Sequence, residues 1–308
     1  MIPAPTTPNP RAKLTERSRL PLALFFYPSI PGKRTALRVV VPILALALVA
    51  AALLAASAGA EVFESGSLVV ALEGKATPRA LPRDGTAPIA VTMSADLSTL
   101  DGSQPPALRR VTVAINRFGR LETRGLPTCR AERIEVATSA QALRRCRSAL
   151  VGSGRLTAQV LSTDEAPFPA RGRVLAFNGR VGGRPVILAQ IYGETRVEQA
   201  GPSGTHTAVV PTSYLLPISV RRTRGTFGIE LTAKLPYVAA DWGYVTGFSL
   251  TLHRTYAFRG KRRAYLSAGC PAPAGFPRAT FPFVRADYSF SDGRRLNSTL
   301  VRTCRATG

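Results

Sequence analysis

From about residue 67 onward, apolar and polar residues alternate in short runs that Gly, Pro, Asn or Asp separate. A period of two places apolar side chains on one side of a strand and polar side chains on the other, which is typical of an antiparallel sheet with one wet face. About eleven such segments follow one another, too many for a small open sheet. They predict an all-β fold, an antiparallel two-layer β-sandwich, with a closed or partly open β-barrel as the alternative. The clearest face is in IAVTMSADL: Ile89, Val91, Met93, Ala95 and Leu97.

Turn residues divide these runs into hairpins. Asp292-Gly293 is a pair favoured in tight turns, and Asn178-Gly179, Gly182-Gly183 and Gly260 also lie between apolar runs. One segment, SAQALRRCRSALVG, has helical spacing instead, with Ser139 as its expected N-cap and Gly152 as its stop. The sequence therefore predicts one short helix within a β-rich chain.

The amino-terminal part predicts export. Residues 39–60 form 22 consecutive positions without a charge, and seven basic residues against Glu16 precede them. A basic flank before an apolar core is the pattern of a signal peptide, and Ala58 and Ala60 form an Ala-x-Ala cleavage pattern. An uncleaved anchor of a single-pass membrane protein is the alternative, because about twenty apolar residues span a bilayer. We expect a basic, Pro-rich cytoplasmic leader (1–38), a signal-peptide core or anchor (39–60) and one extracytoplasmic β domain (61–308).

Four cysteines lie downstream of the apolar segment: Cys129, Cys146, Cys270 and Cys304. An even count in an exported chain predicts two disulfides, and of the three pairings, Cys129 with Cys146 and Cys270 with Cys304 closes the shortest loops. No C-x-x-C spacing occurs and only two histidines are present, so no metal site is predicted. This cysteine usage favours a secreted or cell-envelope protein.

The chain is strongly basic, with a net charge of +23. Outside the cytoplasm, a basic surface meets anionic wall polymers or membrane surfaces, and export disfavours nucleic acid as a partner. A purely colloidal role of the charge, in keeping the protein soluble, is the alternative. Two clusters at strand ends are candidate anion-binding residues: Arg221, Arg222 and Arg224, and Lys261, Arg262 and Arg263.

No catalytic motif is recognisable, and neither a catalytic residue nor a cofactor is predicted. Trp242 and Tyr244 are candidates for stacking on a ligand, with packing on the sheet as the alternative. A secreted hydrolase of glycans or esters, using Asp241 or His206, stays open as a second hypothesis, although no acid and oxyanion hole can be assigned to His206.

The segments GLPTC (125–129), CRSALVGSG (146–154), AGCPAPAGF (268–276) and the closing RTC resemble those of a group of uncharacterised exported proteins from high-GC Gram-positive bacteria. The resemblance implies export and the sequence-local disulfide pairing, and it implies no activity. The leading functional hypothesis is a non-enzymatic envelope module that binds anionic polymers through Arg-rich loops. Oligomeric state and ligand identity are not set by the sequence.

Overall fold

The computed structural model describes residues 60–161, 167–201, 204–235 and 243–308. The predicted leader (1–38), the apolar segment up to residue 59 and the cleavage residue Ala58 lie outside the described residues, and Ala60 begins them. The described strands are β1 (Glu61–Ser65), β2 (Leu68–Thr77), β3 (Ala80–Pro82), β4 (Ala87–Pro88), β5 (Ala90–Thr99), β6 (Leu108–Asn116), β7 (Gly119–Leu121), β8 (Leu150–Val160), β9 (Phe168–Val181), β10 (Arg184–Gly201), β11 (Gly204–Arg222), β12 (Phe227–Lys234), β13 (Gly243–Leu252), β14 (Thr255–Phe258), β15 (Lys261–Ala264), β16 (Leu266–Ala268), β17 (Arg278–Phe290) and β18 (Arg295–Thr307). One α-helix, α1 (Ser139–Cys146), lies between two short 3-10 turns, Ala131–Arg133 and Arg147–Ala149.

Thirteen of these strands form one sheet in the order β1-β2-β5-β13-β8-β9-β10-β11-β12-β6-β17-β18-β3. All of its neighbouring pairs are antiparallel except β18 with β3. Two small sheets accompany it, a β14-β15 hairpin and a three-stranded sheet in the order β4-β16-β7.

The large sheet curls, so that its first strands pack against its last ones. Leu68, Val70 and Leu72 of β2 share a buried cluster with Tyr288 of β17 and Leu300 of β18. Glycines permit the close approach of β8 to β13, because a Cβ on Gly152 or Gly154 would overlap the carbonyl oxygen of Thr251 or Ser249. Glycines at such positions let a sheet bend sharply where side chains would hold the strands apart.

A second core fills one end of the curled sheet. It joins Val151, Ile187 and Ile229 of the large sheet to Tyr265 and Leu266, which come from the segment around the three-stranded sheet. The Cys270–Cys304 disulfide lies in this core and ties the segment after β16 to β18. The three-stranded sheet is thereby fixed against this end of the large one.

The two ends of the curled sheet meet through side chains. Arg302 on β18 forms an ion pair with Glu61 on β1, and its Nε donates to the carbonyl oxygen of Gly74 on β2 at 2.7 Å. We call this contact the seam. Strands β1 and β3 are the edges of the hydrogen-bonded order, so the seam joins parts of the sheet that the backbone ladder does not connect.

Helix α1 covers the outer face of β9 and β10. Its N-cap is Thr138, one residue before the predicted Ser139, because Thr138 and Gln141 form a reciprocal capping box. The helix ends at Cys146, before the predicted stop at Gly152, and Cys146 bonds to Cys129. Phe177 and Leu188 are buried beneath the helix, in one cluster with the Cys129–Cys146 disulfide.

The prediction of an all-β fold with one short helix is confirmed. The sheet is curled and partly open, so its halves face each other as layers while its strands follow one another in a single hydrogen-bonded order. Both disulfides form in the sequence-local pairing, as an oxidising, extracytoplasmic environment favours. Across the described ranges, no helix is long and apolar enough to cross a membrane.

Candidate functional site

A cleft of about 780 Å³ lies between one end of the large sheet and the two small sheets. Five arginines line it, together with one carboxylate, several hydroxyl groups and a few aliphatic side chains. We call it the arginine cleft. Its arginines are Arg117, Arg120, Arg222, Arg262 and Arg263.

One wall of the cleft is formed where β11 ends and β12 begins. Arg222 is the last residue of β11, and it pairs with Ile229 of β12, which also lines the cleft. Arg117 lies beside them, with its backbone N–H donating to the carbonyl oxygen of Thr226 at 2.9 Å. Gly228 allows this approach, since a Cβ there would lie 3.0 Å from the Cα of Arg117.

The three-stranded sheet supplies a second wall. Arg120 on β7 pairs with Ser267 on β16, and Ser267 pairs with Pro88 on β4. Directly paired residues share a face of a sheet, and all three residues line the cleft. The exposed Arg120 is thus placed by backbone pairing within a small sheet.

The β14-β15 hairpin supplies Arg262 and Arg263. Its turn is Arg259-Gly260, and both residues have positive φ angles, 51° and 70°. This conformation matches the twist of a two-residue hairpin. Arg262 pairs with Ala257 and Arg263 with Tyr256, so backbone pairing within the hairpin places both arginines.

Two contacts anchor this hairpin to the segment after β7. The Tyr256 hydroxyl donates to the carbonyl oxygen of Arg124 at 2.9 Å, and burial, together with the charge of Glu122, raises the pKa of Tyr256 and keeps this donor protonated. The Phe258 ring lies against Gly125, where φ is +80° and where a Cβ would overlap the ring. Glycine is therefore required at position 125 by both its backbone conformation and this packing.

The charge within the arginine cleft is only weakly compensated. Glu122 is the one carboxylate among the described lining residues, and it lies 3.8 Å from Nη1 of Arg263. Of the five arginines, Arg263 alone forms an ion pair with a carboxylate of the described residues. Nε of Arg263 is buried and has no hydrogen-bond acceptor among them. Clustered guanidinium groups present planar, multidentate donors, which match phosphate and carboxylate oxygens.

The two predicted basic clusters meet only in part. Arg222, Arg262 and Arg263 line the same cleft, whereas Arg221, Arg224 and Lys261 are exposed and are not among its lining residues. Arg221 points to the other face of β11 and pairs with Glu230 at 3.0 Å, as alternation along a strand requires. Sequence reasoning missed Arg117 and Arg120 because each stands alone in RFGRLE. Gly119 between them, a residue type common near turns, was the available signal, and the turn itself lies at Arg117 and Phe118.

The candidate stacking and hydrolytic residues are elsewhere or outside the description. Tyr244 lies near the start of β13, opposite Gln159, and does not line the arginine cleft. Trp242 and Asp241 lie outside the described residues, and His206 is placed by its backbone in β11, opposite Gln199. In the described part of the chain, no group of three His, Cys, Asp or Glu residues is arranged to hold a metal ion.

Comparison with protein-family models, with curated proteins and with solved structures finds no match for this chain. The resemblance to exported proteins of high-GC Gram-positive bacteria therefore stays a prediction. The candidate function rests on the arginine cleft itself.

Proposed function

We propose that the protein is a non-enzymatic module of the cell envelope that binds an anionic envelope component, such as a wall polymer bearing phosphate or carboxylate groups, in the arginine cleft. One observation carries the proposal. Arginines just after β6, on β7, at the end of β11 and on β15 converge on one cleft, and a single carboxylate is among its described lining residues.

Electrostatics supports a binding role for these arginines over the alternative that the positive charge only keeps the protein soluble. Scattered basic residues keep a protein soluble without gathering in a concave site. A concave site with low-dielectric walls strengthens the field of the charges that line it. Like charges brought together raise the energy of the empty site, and an anionic ligand relieves that repulsion.

The composition of the lining also limits the ligand. Leu121, Val220 and Ile229 give the cleft aliphatic surface between the arginines, and Thr86, Thr123, Thr223 and Ser267 add hydroxyl groups. None of its described lining residues is aromatic, so these residues offer a sugar no ring to stack on. We therefore infer that the arginines recognise the anionic groups of the ligand and that the aliphatic side chains contact the uncharged part of its chain.

Binding to purified anionic wall polymer, measured in a salt series, tests the proposal. Replacing two cleft arginines, Arg222→Ala with Arg262→Ala, should weaken binding at low salt by about tenfold, because each removes a charge-assisted hydrogen bond to the ligand. The same variant should flatten the plot of log affinity against log salt concentration, since fewer counterions are released. Polyphosphate serves as a polymer of defined charge.

Arg110→Ala with Arg295→Ala is the matched control. Both residues are exposed, and both pair with Ser289 at the end of the sheet remote from the cleft. This variant removes the same net charge, so it should keep nearly the affinity of the unaltered protein. Equal losses in the two double variants, or binding that does not respond to salt, would reject the cleft as the site.

A further inference from the structure

Two more cavities lie inside the curled sheet beyond the arginine cleft. The nearer one has a volume of about 340 Å³ and reaches from the seam to the three-stranded sheet. It shares Arg120, Ile229 and Ser267 with the arginine cleft. We call it the middle cavity.

The farther cavity has a volume of about 160 Å³ and an apolar accessible surface, although Arg155 and Ser249 are among its lining residues. It shares Val91, Ile115 and Leu266 with the middle cavity, so the middle cavity lies between the arginine cleft and this farther cavity. We call it the apolar cavity. Its walls come from the inward faces of β5, β6 and β8 to β13.

The strands themselves connect the basic and apolar regions. Along one face of β11, Leu216 and Ile218 line the apolar cavity, and Val220 and Arg222 line the arginine cleft. Every second residue of a strand lies on the same face, so polarity changes along one continuous wall. An inward face with aliphatic residues at one end and a guanidinium group at the other is amphiphilic.

The described residues also leave the apolar cavity incompletely filled. Ile191, Leu216 and Phe248 point into it and are only partly buried, in contrast to the fully buried side chains of the neighbouring cores. An apolar cavity of about 150 Å³ stays dry and accepts a small hydrocarbon. Wall atoms beside such a void lack contact partners, and a hydrocarbon occupant restores those contacts.

We propose that the anion bound by this protein carries a hydrocarbon chain, with its charged group among the arginines of the cleft and its chain extending through the middle cavity into the apolar cavity. The inference rests on the proposed function for the head group and adds the chemistry of the tail. A ligand of this class is an anionic lipid or a lipid-linked anionic polymer. The arginine cleft complements the charge of such a ligand and the apolar cavity holds its chain, so it should bind more tightly than an anion without a chain.

Dodecyl phosphate, used below its critical micelle concentration, tests the inference beside inorganic phosphate, which has the same head group without the chain. Burial of two methylene groups is worth about a tenfold gain in affinity. We therefore expect dodecyl phosphate to bind at least about tenfold more tightly, with a negative heat-capacity change in calorimetry that marks apolar burial. Equal affinity for the two phosphates would overturn the inference.

Filling the apolar cavity locates the chain. Ala233→Leu adds methyl groups at its wall on β12, and Ala189→Leu does so on β10 if the first variant folds poorly. Either should remove about tenfold of the gain from the dodecyl chain and leave inorganic phosphate binding unchanged. Ala140→Leu, on the exposed face of α1, is the control of equal volume. A filled cavity that keeps the full gain would place the chain elsewhere and overturn the inference.

The two proposals fail in different ways. If polyphosphate binds through the arginines but the dodecyl chain adds nothing, the inference about the chain is wrong and the proposed function stands. If dodecyl phosphate binds tightly and equally well to Arg222→Ala with Arg262→Ala, the arginines are not its head-group site and that half of the inference is wrong. The proposed function is wrong as well if polyphosphate also binds this variant as tightly as the unaltered protein.

Discussion

Gly125→Ala tests how the fold holds the β14-β15 hairpin in place. An alanine at a φ of +80° costs about 1–2 kcal/mol of backbone strain. Its Cβ would also overlap the Phe258 ring, so the ring must leave its position. Complete truncation of a buried Phe costs about 3–5 kcal/mol, and Phe258 is half-buried, so we assign about 2 kcal/mol to its displacement.

Gly275→Ala separates the two costs. Gly275 has a φ of +83°, and a Cβ there would have nothing within 4 Å, so this variant carries the strain without the overlap. We expect Gly125→Ala to be the less stable variant by about 2 kcal/mol. In a domain of this size, 1 kcal/mol shifts the Tm by about 2–4 °C, so the Tm values should differ by about 4–8 °C. Thermal unfolding followed by circular dichroism measures the difference.

A double variant makes the reasoning refutable. In a Phe258→Ala background the overlap is gone, and Gly125→Ala should then cost only the strain that Gly275→Ala measures. If Gly125→Ala costs the same with and without the Phe258 ring, the packing argument is wrong. Since the hairpin carries Arg262 and Arg263, Gly125→Ala should also weaken polyphosphate binding, whereas Gly275→Ala should not.

The remaining predictions concern stability and pH. Replacing both cysteines of a disulfide by serine should lower the free energy of unfolding by about 3 kcal/mol for Cys129–Cys146 and by about 4 kcal/mol for Cys270–Cys304, because their sequence separations are 17 and 34 residues. Denaturant unfolding of the two variants should give that order. The reverse order would contradict the loop-entropy reasoning. The hydroxyl of Tyr265 is buried without a hydrogen-bond partner among the described residues, and burial raises its pKa, so its contribution to stability is intact below about pH 10 and is lost as the pH rises further. Tyr265→Phe should change the free energy of unfolding at pH 7 by less than about 1 kcal/mol. It should also make the loss of stability above about pH 10 smaller; if that loss is unchanged, other groups cause it.

Local patterns in the sequence predicted the local structure well. The alternation in IAVTMSADL became β5, with Val91, Ala95 and Leu97 buried, and the turns at Gly183, Gly260 and Gly293 formed where expected. The expected turn at Asn178-Gly179 was wrong, because both residues pair with β10 within β9. These features depend on neighbouring residues, so a single chain segment contains the signal. The error at the helix N-cap is also local: the prediction was off by one residue, because Ser139 and Thr138 are adjacent and have similar capping ability.

Long-range features were not predictable in the same way. The curl of the sheet depends on pairings such as β13 with β5 and β12 with β6, which join segments far apart in the chain. The arginine cleft depends on those pairings too, so a cluster in sequence such as Arg221 and Arg222 divides between two faces of a strand. Arg120 enters the cleft only because β7 pairs with β16. An isolated arginine carries no sign of such a partner.

The seam at Arg302 has a mechanical consequence. A closed ring of hydrogen-bonded strands has a circumference that strand number and stagger determine, and it widens only by breaking a backbone ladder. Here side chains close the join: Arg302 contacts Glu61 and the Gly74 carbonyl, and β2 packs on β17 and β18 in a buried cluster. Side-chain contacts rearrange at a lower cost than a backbone ladder separates, so we expect the interior to widen at the seam before any two paired strands part. The middle cavity, which Gly74 and Arg302 both line, is the space whose width would change.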